Sequence, residues 1–322
     1  MGGIVTVGRA PEVASVEGSK LVAAAAEAAA GQQYPAAALY VVATPIGNLA
    51  DLTLRALHVL TLVDAIACED TRHSAALLRH FGIAKPLIAV HEHNERDAAG
   101  GVLARLGRGE RVAYVSDAGT PAVSDPGAAL VAAAREAGYR VVPIPGASSA
   151  LAALSVAGDA GSSGFDFVGF LASRGGERTQ AVAELARAPA TQIVFEAPHR
   201  IESLLDALAA VCPDRTTTLC RELTKQFETI ATMPARATPA WLAADPNRGR
   251  GEFVVVLHAL ARTGAAAATG AHDSMLVPLL AALPLQQAVA LAAEISGAPR
   301  NLLYARALAL KGAAASEDEA TP

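Results

Sequence analysis

Three polar, glycine-containing segments of this 322-residue chain carry residue types suited to holding a small molecule and moving a group on or off it. The first is Thr44-Pro45-Ile46-Gly47-Asn48-Leu49-Ala50-Asp51-Leu52-Thr53. Gly47 lets the backbone approach a ligand, and Asp51 or Thr53 caps a following helix; a tight turn alone accounts for the same residues equally well. The second is Ser116-Asp117-Ala118-Gly119-Thr120-Pro121, followed by Ser124-Asp125-Pro126-Gly127. Asp125 with Pro126 behind it reads as a helix N-cap, which leaves Asp117 for a ligand. The third, Pro145-Gly146-Ala147-Ser148-Ser149, offers hydroxyls and amides at a helix start. A fourth cluster, Glu69-Asp70-Thr71-Arg72-His73, crowds opposite charges together. Such groups suit proton transfer or phosphate contact, and a solvated helix start explains them as well.

Missing motifs narrow the chemistry. The chain has no G-x-x-x-x-G-K-[ST] phosphate loop, no G-x-G-x-x-G opening a helix after a strand, and no G-x-S-x-G elbow. These absences argue against P-loop hydrolases, conventional dinucleotide enzymes and serine hydrolases. His91-Glu92-His93 lacks a third ligand at useful spacing, so no metal site is expected.

The elements that must position these loops follow from hydrophobic periodicity. Short apolar runs at Leu39–Ala43, Asp64–Cys68, Leu87–Val90, Arg111–Val115 and Arg140–Pro143 read as strands. Helical patterns alternate with them at Thr53–Val63, Arg72–Phe81, Asn94–Leu106 and Pro126–Gly138, and another opens at Ser148 or Ser149. Strand–helix alternation implies an α/β domain, residues 37–157, with a mostly parallel sheet and ligand loops following its strands. The Gly- and Ser-rich stretch Gly158–Gly164 marks a boundary. A second α/β domain, residues 165–262, has strands at Phe165–Val168, Gln192–Phe195, Thr216–Arg221 and Glu252–Leu257, some of them paired antiparallel. Its helices lie at Glu177–Arg187 and Pro198–Val211. Beyond an Ala/Gly linker, Thr263–Gly270, residues 275–311 read as wholly helical. Residues 1–36 read as a disordered or loosely helical leader without signal-peptide pattern, and residues 312–322 as an acidic, frayed tail.

Composition sets outer limits. Apolar residues make up 52% of the chain, enough for a core, and no apolar run is long enough for a membrane span. The 13 aromatic residues, seven Phe, five Tyr and one Trp, argue against an extensive base-stacking platform. Net charge is −5, and the two tails supply most of it: the leader holds three acidic and two basic residues, and the last eleven residues hold three acidic ones. The folded part is thus nearly neutral, and any contact with nucleic acid must be a local patch. Three unevenly spaced cysteines, Cys68, Cys212 and Cys220, read as reduced thiols of a cytoplasmic protein.

Six motifs in fixed order give the chain a family resemblance. They are the Thr44–Asp51 segment, Glu69-Asp70-Thr71-Arg72, Val115–Pro121, Pro145-Gly146, Glu196-Ala197-Pro198-His199-Arg200 and Arg221-Glu222-Leu223-Thr224-Lys225. Over roughly Leu39 to Lys311 the chain resembles the bacterial small-subunit ribosomal RNA methyltransferase I branch of the tetrapyrrole methylase superfamily. The resemblance implies two α/β domains with S-adenosyl-L-methionine in the cleft between them, and a homodimer. It implies 2′-O-methylation of a cytidine ribose in the decoding region of 16S ribosomal RNA within the 30S subunit. Carried over by position, Gly47, Asp117, Ala118, Gly119, Thr120, Ser148 and Ser149 border the cofactor. Ala197, Leu223 and Gly251–Glu252 lie where the second domain closes over it. Members commonly carry a proline and several lysines after the Gly-Phe-Leu of the second domain. Here Gly169-Phe170-Leu171 is followed by Ala172-Ser173-Arg174-Gly175-Gly176-Glu177-Arg178, with two arginines and a glutamate.

Methyl transfer to a ribose hydroxyl needs in-line alignment and either a base or a cation beside the developing alkoxide. Asp70, His73, His93, Glu196 and Lys225 are the candidates, with Lys225 either stabilising alkoxide or phosphate or simply pairing with Glu222 or Glu228. Arg72, Arg174, Arg178 and Arg200 are candidates for RNA phosphate, and Arg72 and Arg200 equally for structural pairing. Residues Leu283–Tyr304 read as helix, Gly297 turn and second helix, with Arg300, Asn301 and Tyr304 near its start. That pattern suits docking on RNA or the ribosome, or a bundle for packing. Two other readings of the whole chain stay open: a small-molecule methylase of the same superfamily, and a non-catalytic ribosome-binding factor on the same fold.

Overall fold

A computed structural model describes residues 18–90, 95–123, 127–162, 164–260 and 272–318. The expected Asp125 cap, the linker 263–270 and His93 lie outside them. The chain divides into two compact units, Met1–His258 and Ala259–Pro322.

In the first unit, β1 (Ala38–Val42), β2 (Ala65–Cys68), β3 (Leu87–Ala89), β4 (Val112–Val115) and β5 (Arg140–Ile144) form one sheet in the order β3-β2-β4-β1-β5. Every pairing in it is parallel. β2 and β4 are buried along their whole length, as strands covered on both faces must be. The connecting helices are α2 (Leu54–Leu62), α3 (Thr71–His80), α4 (Glu95–Gly107), α5 (Gly127–Glu136) and α6 (Ser149–Ala157). Thr53 caps α2 by accepting the Ala56 N–H at 3.1 Å, and Ser148 is the N-cap of α6. Gly158 ends α6 in the left-handed conformation.

The second sheet contains β6 (Phe165–Phe170), β7 (Thr191–Glu196), β8 (Thr216–Arg221), β9 (Thr229–Pro234) and β10 (Phe253–Leu257), ordered β6-β7-β10-β8-β9. β6 runs parallel to β7, and the other pairings are antiparallel. Helices α7 (Gly176–Arg187) and α8 (Ile201–Val211) cover one face. Ile201, Leu204, Leu205 and Leu208 of α8 are all buried, each contributing about 1.5–3 kcal/mol. α6 covers the other face: Ala150, Ala153 and Ala157 pack with Ile193, Cys220 and Val254. The helix that ends the first half of the chain thus joins it to the second sheet, and the segment after Gly158 separates the two sheets.

One expectation needs correction, and two elements were not foreseen. Residues 1–36 are not a disordered leader throughout: Gly18–Ala29 form helix α1, whose Ala25 and Ala29 are buried and whose Leu21 and Val22 pack on the core beside α2. Its small side chains allow that close approach, and a Cβ on Gly18 would come within 2.9 Å of the Phe81 backbone. The path from β8 to β10 also contains two elements that the hydrophobic pattern did not pick out. It holds β9 and helix α9 (Thr238–Ala243), which the short, proline-ended Thr229–Pro234 run concealed because it is an edge strand.

The second unit consists of α10 (Asp273–Ala282), α11 (Leu285–Ser296) and α12 (Arg300–Asp318) around Leu276, Val289, Ala292, Leu303 and Ala307. Gly297 has φ +69° in the turn between α11 and α12. Arg306 Nε donates to the Asp273 carboxylate at 2.7 Å, tying α12 to α10. α12 continues to Asp318, beyond the expected end of the helical module at 311.

Candidate active site

Because β1 and β4 are neighbours, the loops leaving their C-terminal ends lie side by side. An isolated bridge locks them: the Thr44 N–H donates to the Gly119 carbonyl at 2.9 Å, and the Gly119 N–H to the Thr44 carbonyl at 3.1 Å. The Thr44 hydroxyl adds a bond to the Ser116 carbonyl at 3.1 Å. Gly119 has φ +83°, and a Cβ there would stand 3.3 Å from Ile46 Cγ2. Only glycine satisfies both the conformation and the space without strain. The Thr120 hydroxyl donates to the Ala147 carbonyl at 3.0 Å and so ties the third loop to the second.

These loops and the second sheet enclose a cleft of about 440 Å³. Ala118, Gly119, Thr120, Ser148, Ser149, Ala197 and Leu223 line it, as expected of cofactor-binding positions, and Glu252 does too. Gly47 and Asp117 do not. The backbone of Gly47 lies against Lys225, and a Cβ there would meet Lys225 Cγ at 2.5 Å. The Asp117 carboxylate, expected to be free for a ligand, accepts the Asp70 N–H at 3.1 Å and braces one polar loop against another. Phe170, Phe195, Phe253 and Val254 form apolar walls that the motif reading overlooked. Their signal was weak, since strand-end hydrophobics that face a cleft look like any core position.

The charged candidates separate once their partners are known. Asp70 is the N-cap of α3, accepting the Arg72 N–H at 2.8 Å and bonding the Arg72 guanidinium at 2.8 and 3.2 Å. The Arg72 side-chain bonds, followed by its backbone N–H, hold the Asp70 carboxyl down at a pKa of about 2. A carboxylate so engaged is a poor proton acceptor, which corrects the expectation that it acts as base. His73 is exposed on α3.

Glu196 is fully buried at the end of β7, and its carboxylate is shared among three donors. Arg178 Nη2 donates at 2.8 Å, Arg200 Nη2 at 3.4 Å and the Ala197 N–H at 2.9 Å, while Arg200 Nε stands at an ion-pair distance of 2.7 Å. The two guanidiniums also bond carbonyls of the β6–α7 loop, Arg178 to Ala172 at 3.1 Å and Arg200 to Leu171 at 2.7 Å. This corrects two expectations. Glu196, although it lines the cleft, is engaged as an anchor for two guanidiniums, and Arg178 and Arg200 hold the loop rather than standing free for RNA phosphate. Arg174 on the same loop is exposed, as is Arg300 at the start of α12.

Lys225 Nζ bonds Glu222 at 2.9 Å and Glu252 at 3.0 Å. Partial burial works against its charge, but the two carboxylates outweigh it and raise its pKa above that of an ordinary lysine. It is therefore a cation and not a base. Of the two carboxylates expected as surface partners, Glu222 pairs with it, whereas Glu228 instead accepts the Thr224 N–H at 2.6 Å. Among the described residues no cluster of His, Cys, Asp and Glu could hold a metal ion, and no helix is long and apolar enough to cross a membrane.

Comparison with known proteins places this geometry. Residues 38–238 match the model of the Tetrapyrrole (Corrin/Porphyrin) Methylases, and residues 266–311 match that of the RsmI C-terminal HTH domain. Proteins named "Ribosomal RNA small subunit methyltransferase I" are similar along most of their length. The one from Pseudomonas aeruginosa is 48% identical over 86% of this chain and 99% of its own. The one from Escherichia coli O157:H7 is 46% identical over 85% and 96%. Among solved structures, diphthine synthase shares the fold with a TM-score of 0.54 at 16% identity, covering 69% of this chain and 90% of that one. The methyltransferase CobJ does so with a TM-score of 0.52 at 21% identity, covering 69% and 93%. With both family models matched in order and the relatives this similar, the chain belongs to the tetrapyrrole methylases and, within them, to the ribosomal RNA small subunit methyltransferase I family.

Proposed function

We propose that the protein uses S-adenosyl-L-methionine to methylate the ribose 2′-hydroxyl of a cytidine in the decoding region of 16S ribosomal RNA, within the 30S subunit. The observation that carries this reading is the cleft between the β1 and β4 loops and the second sheet, in a chain whose relatives are named for ribosomal RNA methylation. The cleft suits such a cofactor: Ile46, Phe195 and Phe253 offer apolar surface for a purine, and Thr120, Ser148 and Ser149 offer polar groups for its charged end. The close approach at Gly119 is the kind of cradle that a side chain would fill. When bound, the cofactor supplies a methyl group on a sulfonium, already activated for transfer.

The chain must then align the hydroxyl and keep water out. The apolar walls exclude water, and the locked Thr44–Gly119 pair keeps the floor rigid. Lys225, fixed by Glu222 and Glu252 beside the cleft, is the cation we assign to the developing alkoxide. Arg174 and Arg300 are the exposed cations assigned to RNA phosphate, with Arg72 retained as a surface contact despite its pairing with Asp70. The match of residues 266–311 to a C-terminal HTH domain favours RNA over a small-molecule substrate. We read the protein as a cytoplasmic homodimer, as family resemblance implies.

Incubating the purified protein with methyl-labelled cofactor and 30S particles or naked 16S RNA, followed by nucleoside mapping, tests the proposal. Label in a 2′-O-methylcytidine of the decoding region supports it. Cofactor binding without label in either substrate refutes it.

A further inference from the structure

Phe227 is the most exposed large apolar side chain among the described residues, at 68%. An exposed phenylalanine on a loose loop needs no explanation. This loop, between β8 and β9, is not loose. Arg221, buried at the end of β8, donates to the Phe227 carbonyl at 3.0 Å and to the Arg250 carbonyl at 2.6 Å. The Glu228 carboxylate holds the Thr224 N–H, and two turns close from the Lys225 N–H to the Glu222 carbonyl and from the Glu228 N–H to the Lys225 carbonyl. Glu222 and Thr224 sit at φ +52° and +67°. Non-glycine residues keep such conformations where surrounding structure over-determines them, and these cluster at ligand sites.

The same short segment carries Leu223, which lines the cleft, and Lys225, whose partner Glu252 lines it too. Around Phe227 the acidic groups are engaged: Glu222 and Glu252 with Lys225, Glu228 with a backbone N–H. The guanidinium of Arg250 is exposed and has no carboxylate partner among the described residues. One buried arginine therefore fixes the backbone of both an exposed phenylalanine and an exposed arginine, which stand four and two residues along the chain from Leu223 and Glu252 of the cleft wall.

We infer that Phe227 and Arg250 form a nucleobase-and-phosphate subsite, in which the ring stacks on an unpaired base next to the methylated nucleotide and the guanidinium takes a neighbouring phosphate. The inference rests on the RNA reading proposed above. A ribose hydroxyl reaches an enclosed cleft only when its nucleotide leaves the stack, and an aromatic face replaces part of the stacking lost by its neighbour. An aromatic side chain beside a cation is the smallest unit that grips a single strand without reading its sequence. The β6–α7 loop retains Arg174 as its uncommitted cation, since Glu196 holds Arg178.

The test uses the full chain with Phe227→Ala, Phe227→Leu, Phe227→Trp and Arg250→Ala, assayed for methylation of 30S particles, cofactor affinity by calorimetry and oligomeric state by sedimentation. Phe227→Ala and Phe227→Leu are expected to lower kcat/KM for 30S roughly tenfold or more, with Phe227→Trp near wild type. Arg250→Ala is expected to weaken the salt dependence of 30S binding, and cofactor affinity stays unchanged in all four. A Phe227→Leu variant as active as wild type overturns the subsite. So does a Phe227→Ala variant that loses cofactor affinity, or one whose sedimentation changes because a second copy covers the ring. If the wild-type chain labels neither 30S particles nor naked RNA, the RNA reading falls and the subsite with it. If wild type labels and the Phe227 variants are indifferent, only the subsite falls.

Discussion

The side chain of Lys225 rests on the backbone of Gly47, two residues 178 positions apart in sequence, so closely that a Cβ on Gly47 would come within 2.5 Å of Lys225 Cγ and 2.9 Å of Cε. The first polar loop thereby sets the position of the cation at the cleft, and its glycine is a spacing device.

Gly47→Ala is accordingly expected to displace Lys225 and to lower kcat for 30S methylation about tenfold or more, since small misplacements of a reacting group are costly. Cofactor affinity, measured by calorimetry, should change much less. An alanine variant with wild-type kcat would show that the contact is incidental.

Lys225→Ala should keep cofactor affinity and lose turnover by about 10²-fold, the scale on which single electrostatic stabilisers act. Lys225→Arg retains charge and should recover part of it. Because Glu222 and Glu252 raise the lysine pKa, its cation persists through neutral and mildly alkaline pH. No loss of rate from Lys225 deprotonation is expected in a pH profile below the ordinary lysine value of 10.5. Full activity of the alanine variant would remove Lys225 from the mechanism.

Glu196→Ala should act through stability. It leaves Arg178 and Arg200, with side chains 12% and 19% exposed, facing each other without a carboxylate. Removing one partner of a buried pair costs about 3–5 kcal/mol. Urea unfolding should show that loss, and Arg178→Ala a smaller one. A stable Glu196→Ala protein with abolished turnover would instead restore Glu196 as a catalytic candidate.

His258, at the end of β10, lies 2.8 Å from the Thr218 hydroxyl, and burial lowers its pKa below the ordinary histidine value of 6.5. The folded state thus favours the neutral ring, while the unfolded chain binds a proton as pH falls through 6.5. Stability should drop on acidification from neutrality until the lowered folded pKa is passed, after which this contribution is constant. Urea midpoints between about pH 7.5 and 5.5 read the slope, and His258→Gln should flatten it. An unchanged slope would assign the pH dependence to other groups.

The strand–helix alternation was legible because each element writes its period locally, and Thr53, Ser148 and Gly158 mark helix ends through bonds within three residues or through backbone conformation. β9 was hidden because an edge strand needs only half the hydrophobic pattern of a central one. α1 was hidden because alanine records helix formation without recording what the helix packs against.

Within the site, Gly119, Thr120, Ser148 and Ser149 were readable as cleft positions, since a backbone that must approach a ligand restricts residue type at single positions, whereas Gly47 turned out to face Lys225. The ionic roles were not. Arg178 meets Glu196 across 18 positions and Lys225 meets Glu252 across 27, and Asp117 reaches the Asp70 amide across 47. The sequence by itself determined the fold class, the order of the loops and the family. Tertiary structure alone decided which charges are anchors and which remain free for a substrate, because pairing depends on distances of a few ångströms between loops that only the folded sheets bring together.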